Sequence, residues 1–189
     1  MEKTYKTIKK WEVLEETDIS PSSWFPLYKH KIKLPNGKVV DDYYISKVGD
    51  VSMVVALTKS KKIIFVRQYK HGTGDVIIEL PAGRIRKGNS PEKEAVMELA
   101  EETGYEGSEV ELLGMIHGEP SKDTFNVYGY LIKNVELKNS QNLEETEDIE
   151  VLLFPASEID KKVKEGVICS SDTLSFIYLA KLKYPELFS

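Results

Sequence analysis

The chain has 189 residues, 41% hydrophobic and 30% charged, with a formal net charge of -5, enough to bury a core in one medium domain without disulfides. The acidic balance argues against a broad duplex-binding surface, which needs a basic face, but not against a small phosphorylated ligand, for which a few local Lys or Arg residues suffice. A single cysteine, Cys169, excludes an intrachain disulfide and fits a reducing compartment.

Met1-Glu2-Lys3-Thr4 opens onto charged residues rather than an apolar signal core. No apolar run approaches the roughly 20 residues of a membrane span, so a cytoplasmic protein is expected. Leu27 to Leu34 alternate loosely, Pro35-Asn36-Gly37 supplies a turn, and Lys38 to Ile45 resume an extended pattern, which together predict a hairpin. Val51 to Leu57 and Ile63 to Val66 are β-branched apolar runs around a polar turn, and Val76 to Leu80 is a short strand ending at Pro81. The period then changes: Ser90-Pro91-Glu92 gives a cap, a proline at the first helical position and an acid in the first turn, and Gly104 gives the stop. Strands return at Val110 to His117, Val127 to Ile132 and Val151 to Phe154. A helix from Ser157 to Gly166 follows, then another from Asp172 with Leu174, Ile177, Tyr178 and Leu182 on one side. Strands, one helix, more strands and closing helices predict an α/β (α+β) chain in which helices cover a mixed sheet. Residues 1–49 form a small N-terminal antiparallel β extension, and residues 50–189 the main domain.

On a helix over Pro91 to Thr103, Glu94, Glu98, Glu101 and Glu102 share one arc, and Ala95, Val96, Leu99 and Ala100 cover the other side. Such an arc is either a solvated face or a cation site. Like charges at these spacings repel by a few tenths of a kcal/mol per pair, no Lys or Arg lies between Glu94 and Gly104 to relieve them, and hard divalent cations seek carboxylate oxygens. In the preceding loop, Gly83 lets the backbone approach a ligand. Arg84, Arg86 and Lys87 either meet phosphates or form an exposed charged turn.

The run from Glu79-Leu80-Pro81-Ala82-Gly83 through Glu98-Leu99-Ala100-Glu101-Glu102-Thr103-Gly104-Tyr105 resembles the Nudix box, Gly-x5-Glu-x7-Arg-Glu-aliphatic-x-Glu-Glu-x-Gly-aliphatic. Gly83, Glu98, Leu99, Glu101, Glu102 and Gly104 match in register; Asn89 stands at the first Glu and Met97 at the Arg. The Glu-Leu-Pro-Ala-Gly run and Val66-Arg67-Gln68-Tyr69-Lys70 resemble the ADP-ribose pyrophosphatase branch of that family. The resemblance implies an α/β/α sandwich with a mixed sheet that hydrolyses ADP-ribose or a related nucleoside diphosphate sugar with Mg²⁺ or Mn²⁺. It also implies a homodimer built through the N-terminal extension; the acidic charge and the lack of a long apolar run lead to the expectation of no nucleic-acid and no membrane partner.

It further implies that metal is held by the Ala82 carbonyl with Glu98 and Glu102, completed by Glu101, and that Glu98 is catalytic. In the acidic segment Leu143 to Ile149, Glu145 is the expected general base and Glu147 the next choice, unless the segment is merely solvated. Arg67 is a candidate phosphate or sugar contact, with a structural ion pair as the alternative. Gly83 and Arg84 are further substrate-binding candidates. Trp24 is a candidate for stacking on the base, with a packed or dimer contact as the alternative, and the same pair of readings holds for Trp11. His30, His71 and His117 lack metal-ligand spacing. A rival reading is a binding or regulatory module that keeps the fold and cleaves weakly, motivated by Asn89 and Met97.

Overall fold

The computed structural model describes residues 5–189, and the charged opening Met1 to Thr4 lies outside them. The chain divides into two compact units, one running to Val48 and including Gly118–Phe125, the other comprising Gly49–His117 and Asn126–Ser189.

In the first unit, β1 (Glu12–Asp18), β2 (Leu27–Lys33) and β3 (Val39–Ser46) form an antiparallel sheet in the order β1-β2-β3. The predicted hairpin is β2–β3, turned at Gly37 with φ 87°. The sequence reading did not include β1, whose Glu-Val-Leu-Glu-Glu-Thr-Asp run has no apolar alternation and is exposed along its whole length. Gly118–Phe125 contributes through Ser46, whose N–H donates to Lys122 O at 2.7 Å and whose carbonyl accepts from Thr124 N at 3.2 Å. Few side chains of this sheet are buried, among them His30, Ile32 and Ser46.

The second unit is an eight-stranded mixed sheet. Its strands are β4 (Val51–Thr58), β5 (Lys62–Lys70), β6 (Asp75–Glu79), β7 (Ala82–Arg84), β8 (Tyr105–Glu106), β9 (Glu109–His117), β10 (Asn126–Leu137) and β11 (Glu150–Pro155). The backbone path β11-β5-β4-β10-β8 contains one parallel pair, β4 with β10, and β6, β7 and β9 join antiparallel to β5, β4 and β10. Side chains alternate across this sheet, and the alternation sorts two cores. On one face Val54, Ala56, Ile64, Tyr130 and Ile132 pack against Ala95 and Leu99 of α1 (Pro91–Thr103). Toward α3 (Ser171–Lys183), Gly129 presents no side chain, and a Cβ there would overlap the Phe176 ring. Helices on both faces give the expected α/β/α sandwich.

α2 (Ile159–Lys164) is shorter than predicted: Ala156–Glu158 form a 3₁₀ turn and Gly166 ends the segment at φ 72°. α3 is rotated from its predicted face. It buries Thr173, Phe176, Ile177 and Ala180, whereas Tyr178 and Leu182 are 62% and 60% exposed. The small residues Thr173 and Ala180 let the helix approach closely enough for Phe176 to fill the gap at Gly129, a gain in packing that outweighs covering Tyr178. No helix among the described residues is long and apolar enough to cross a membrane.

Candidate active site

The site is built on the start of α1 and the loop before it. Ser90 caps the helix by accepting from Lys93 N at 3.2 Å, and Pro91 holds the first helical position. The Pro91 carbonyl accepts from Ser52 Oγ at 2.7 Å, fixing the helix start to β4. The loop strand β7 is fixed to the same β4, with Ala82 opposite Met53, Gly83 opposite Ser52 and Arg84 opposite Val51. Leu80 N donates to the buried Thr173 hydroxyl at 3.1 Å, which ties the Leu80-Pro81 corner to α3.

Loop and helix meet through carboxylates. Glu102 is 3% exposed and accepts from Ala82 N at 3.0 Å. Gly83 lies flush against Glu98, and a Cβ at that position would coincide with the Glu98 carboxyl group. Glycine is therefore required here for a close approach within the chain, not only for an approach to ligand. Glu94 is wholly buried; its oxygens accept from Arg86 N at 3.0 Å, from Asn89 Nδ2 at 2.7 Å and from Arg86 Nε. The Arg86 guanidinium continues outward to both Glu101 oxygens, at 3.3 and 3.1 Å, and to Glu98 Oε1 at 3.5 Å. Arg86 thus engages three carboxylates of α1, and the arc is not a solvated face. The cation that relieves it lies outside the helix, which is why the helical run itself shows none.

Electrostatics separate these acids. Burial pushes the Glu98 carboxyl up to about 7, against the lowering effect of Arg86. Burial pushes Glu102 up to about 8; the Ala82 N–H and the Lys70 charge work against the rise, and the charges of Glu98 and Glu147 add to it. For Glu94 burial acts upward as well, but Asn89 and Arg86 more than offset it and hold this carboxyl below the ordinary range. Raised acids bind protons more tightly folded than unfolded, so their stabilisation is complete below the unfolded value near 4.5 and fades as pH rises through about 7 and about 8. The cation-free protein is therefore expected to lose stability, and its Tm to fall, as pH rises from roughly 5 to 9. A calorimetric Tm that stays level or climbs over that range contradicts the burial of these two groups.

A cavity of about 500 Å³ opens beside the loop and is lined by Ala82, Gly83 and Arg84 together with Gln68, Lys70 and Asp172. Lys70 Nζ is 3.7 Å from Glu79 Oε2. Burial raises the Asp172 carboxyl, with Ser171 acting in the opposite direction. Sequence reasoning passed over Lys70 and Asp172 as site residues and placed Glu94 on the acidic arc without its partners; Lys70 lay within the quoted Val66 to Lys70 run, but nothing in a linear sequence tells which strand residues face a cavity.

The acidic segment after β10 is fastened to the end of α1. Asn142 N donates to Glu101 O at 2.8 Å, and Gln141 Nε2 donates to Glu102 O at 2.7 Å and Ile149 O at 3.1 Å. Lys138 N and Asn139 N donate to Gly104 O at 3.0 and 3.2 Å. Within the segment, Glu147 is half-buried and its carboxylate accepts from Glu144 N at 2.9 Å, whereas Glu145 is exposed. Arg67 stands apart in an exposed cross-strand ion pair, Nη1 to Glu150 Oε2 at 2.8 Å. Trp24 belongs to the first unit and is 79% exposed. Trp11 meets Tyr43 edge-on at 5.7 Å between ring centres. Among the described residues, no three His, Cys, Asp or Glu side chains form a ready-made metal cage.

The NUDIX domain model matches residues 47–170, and the model of a nucleoside diphosphate sugar hydrolase N-terminal domain matches residues 11–46. The ADP-ribose pyrophosphatase of Bacillus subtilis (strain 168) is 31% identical over 90% of this chain and 95% of its own length. The methanol dehydrogenase activator of Bacillus methanolicus is 31% identical over 80% of this chain and 82% of its own. A crystal structure of an ADP compounds hydrolase superposes with a TM-score of 0.84 at 18% identity, covering 96% of this chain and 98% of that one, a likeness of fold.

Proposed function

This chain belongs to the NUDIX domain family, and we propose that within it the protein hydrolyses the diphosphate of ADP-ribose or a related nucleoside diphosphate sugar, giving a nucleoside monophosphate and a sugar phosphate. The observation that carries this reading is the pair Glu98 and Glu102, one helical turn apart, the first half-buried and the second buried, and both pushed toward their protonated forms against the Ala82-Gly83 loop that walls the cavity. A buried acid beside a half-buried one, kept apart from any close basic partner save at one oxygen of Glu98, is costly to ionise unless a cation joins the two. The donor set fits a hard divalent ion, with Mg²⁺ proposed: carboxylate oxygens of Glu98 and Glu102, the Ala82 carbonyl, and Glu101 at the outer edge.

When bound, the divalent ion supplies positive charge against the diphosphate oxygens and a more acidic water. The chain's own residues do the rest. Gly83 keeps the loop close to Glu98, and the Ala82 N–H steadies Glu102. Lys70 and Arg84 line the cavity where the anionic substrate would lie. A carboxylate of the segment after β10 takes the water proton as oxygen attacks phosphorus and the bridging P–O bond breaks. Half-burial, and a charge felt at Glu102, favour Glu147 over Glu145 for that step. Arg67 is proposed to reach a phosphate or sugar only by leaving Glu150.

The N-terminal extension, residues 1–49, is proposed to give substrate and dimer contacts, with Trp24 stacking on the base. The thin core of its sheet and the exposed Val13, Leu14 and Trp24 support a homodimer that covers them, and a monomer by sedimentation velocity would reject it. Incubation with ADP-ribose and Mg²⁺ is expected to release AMP; no turnover across a panel of nucleotide sugars and dinucleotides would remove the enzyme reading. The relative named an activator, with Asn89 and Met97, favours a second reading, a weakly cleaving regulatory module. Its signature is thermal stabilisation by ADP-ribose without product, unchanged in Glu98→Gln.

A further inference from the structure

The hydrolysis proposed above gives no task to Glu94, although it is wholly buried and carries three hydrogen bonds. Two of the three come from Arg86, through its backbone N–H and its Nε. With that end of the guanidinium seated in the interior, its two remaining nitrogens face outward in a fixed plane, one on Glu101 and the other shared between Glu101 and Glu98 Oε1. Position 97, immediately before Glu98, offers no cation of its own, since Met97 Sδ receives only Asn89 Nδ2 at 3.7 Å. From this arrangement we infer that Arg86, anchored by Glu94 and Asn89, is the positioning residue that holds Glu98 and Glu101 in place for the divalent ion.

The geometry supplies what an exposed Arg–Glu pair lacks. A long side chain held only at the surface spends most of its Coulomb gain on lost rotamer freedom. Here the buried Glu94 fixes the guanidinium, and the outer carboxylates add to a cation already in place. Arg86 touches one oxygen of Glu98 and makes no hydrogen bond to Glu102, so it leaves the second Glu98 oxygen and the whole Glu102 carboxyl without a guanidinium partner. Without Arg86, Glu98 and Glu101 repel across three helical positions, and Glu98 is free to change rotamer.

The role rests on the metal reading above, and its test separates the two. Mn²⁺ alone is titrated into the substrate-free protein, with unbound ion followed by its electron paramagnetic resonance signal. Arg86→Gln strands a buried charge, so the informative variant is Arg86→Gln combined with Glu94→Gln, which removes both partners and is expected to keep a Tm near that of the unaltered chain. Its Mn²⁺ affinity is expected to fall roughly 10- to 100-fold. Arg86→Lys keeps the charge and loses the fork, so it should fold and show a fall of similar size. If either folded variant binds Mn²⁺ as tightly as the unaltered chain, or more tightly, Arg86 serves only to neutralise Glu94 and the inference is overturned. Absence of Mn²⁺ binding by the unaltered chain overturns the metal site itself and this role with it.

Discussion

Replacing Glu98 by glutamine is expected to lower kcat on a nucleoside diphosphate sugar by on the order of 10³-fold while leaving the fold intact. Size and shape are conserved, so the contact with Gly83 survives, and what disappears is a negative charge facing the proposed cation. Because Glu98 is costly to ionise where it sits, the amide should leave Tm at neutral pH unchanged or slightly raised. A catalytic loss with preserved or improved stability is the mark of a site residue held against its own preference. Less than about a tenfold change in kcat would remove Glu98 from the reaction. Glu102→Gln is the companion measurement, since its side chain can still accept from Ala82 N.

Gly83→Ala should come next in size, about 10²-fold in kcat/KM with a loss of roughly 1–3 kcal/mol in stability. The new methyl would occupy the place of the Glu98 carboxyl group. The backbone cannot retreat cheaply, because β7 is paired with β4 at Ala82, Gly83 and Arg84. Glu98 has to move instead, and a displacement near 1 Å at a reacting centre carries a penalty of about this size. The double variant Gly83→Ala with Glu98→Gln decides the route. If alanine acts by moving Glu98, it adds little to the loss already caused by the amide. Full multiplication of the two losses would mean that Gly83 serves the substrate independently.

Much of this site could be read before the fold was seen, and the parts that could not share a cause. Local signals were sufficient for α1: Ser90, Pro91 and Gly104 are punctuation whose meaning depends on neighbours in sequence. The four acids were legible because helical spacing alone puts them on one arc. Arg86 was assigned to phosphate or solvent because its loop is irregular, and only the tertiary path brings its backbone N–H onto Glu94. The burial of Glu94 and Glu102 was hidden for the same reason, since a sequence shows which residues share a face but not what covers it. In α3 an ordinary apolar stripe predicted the wrong face; the deciding partner was the absent side chain of Gly129 in a strand far along the chain. Nor does any local pattern announce that β4 runs parallel to β10.

The fastening of the segment after β10 has a consequence for variation. Its anchors are Asn142 N on Glu101 O, Gln141 on two main-chain carbonyls, and Lys138 and Asn139 N–H groups on Gly104 O. All but the Gln141 amide belong to main chain, and main chain is blind to which side chains it carries. With the proposed base Glu147 kept, its neighbours from Leu143 to Asp148 can therefore be exchanged like a cartridge between fixed clamps, retuning which molecule is accepted without disturbing the helix beneath. A change in the number of residues between the clamps is another matter, because it slips the whole cartridge out of alignment.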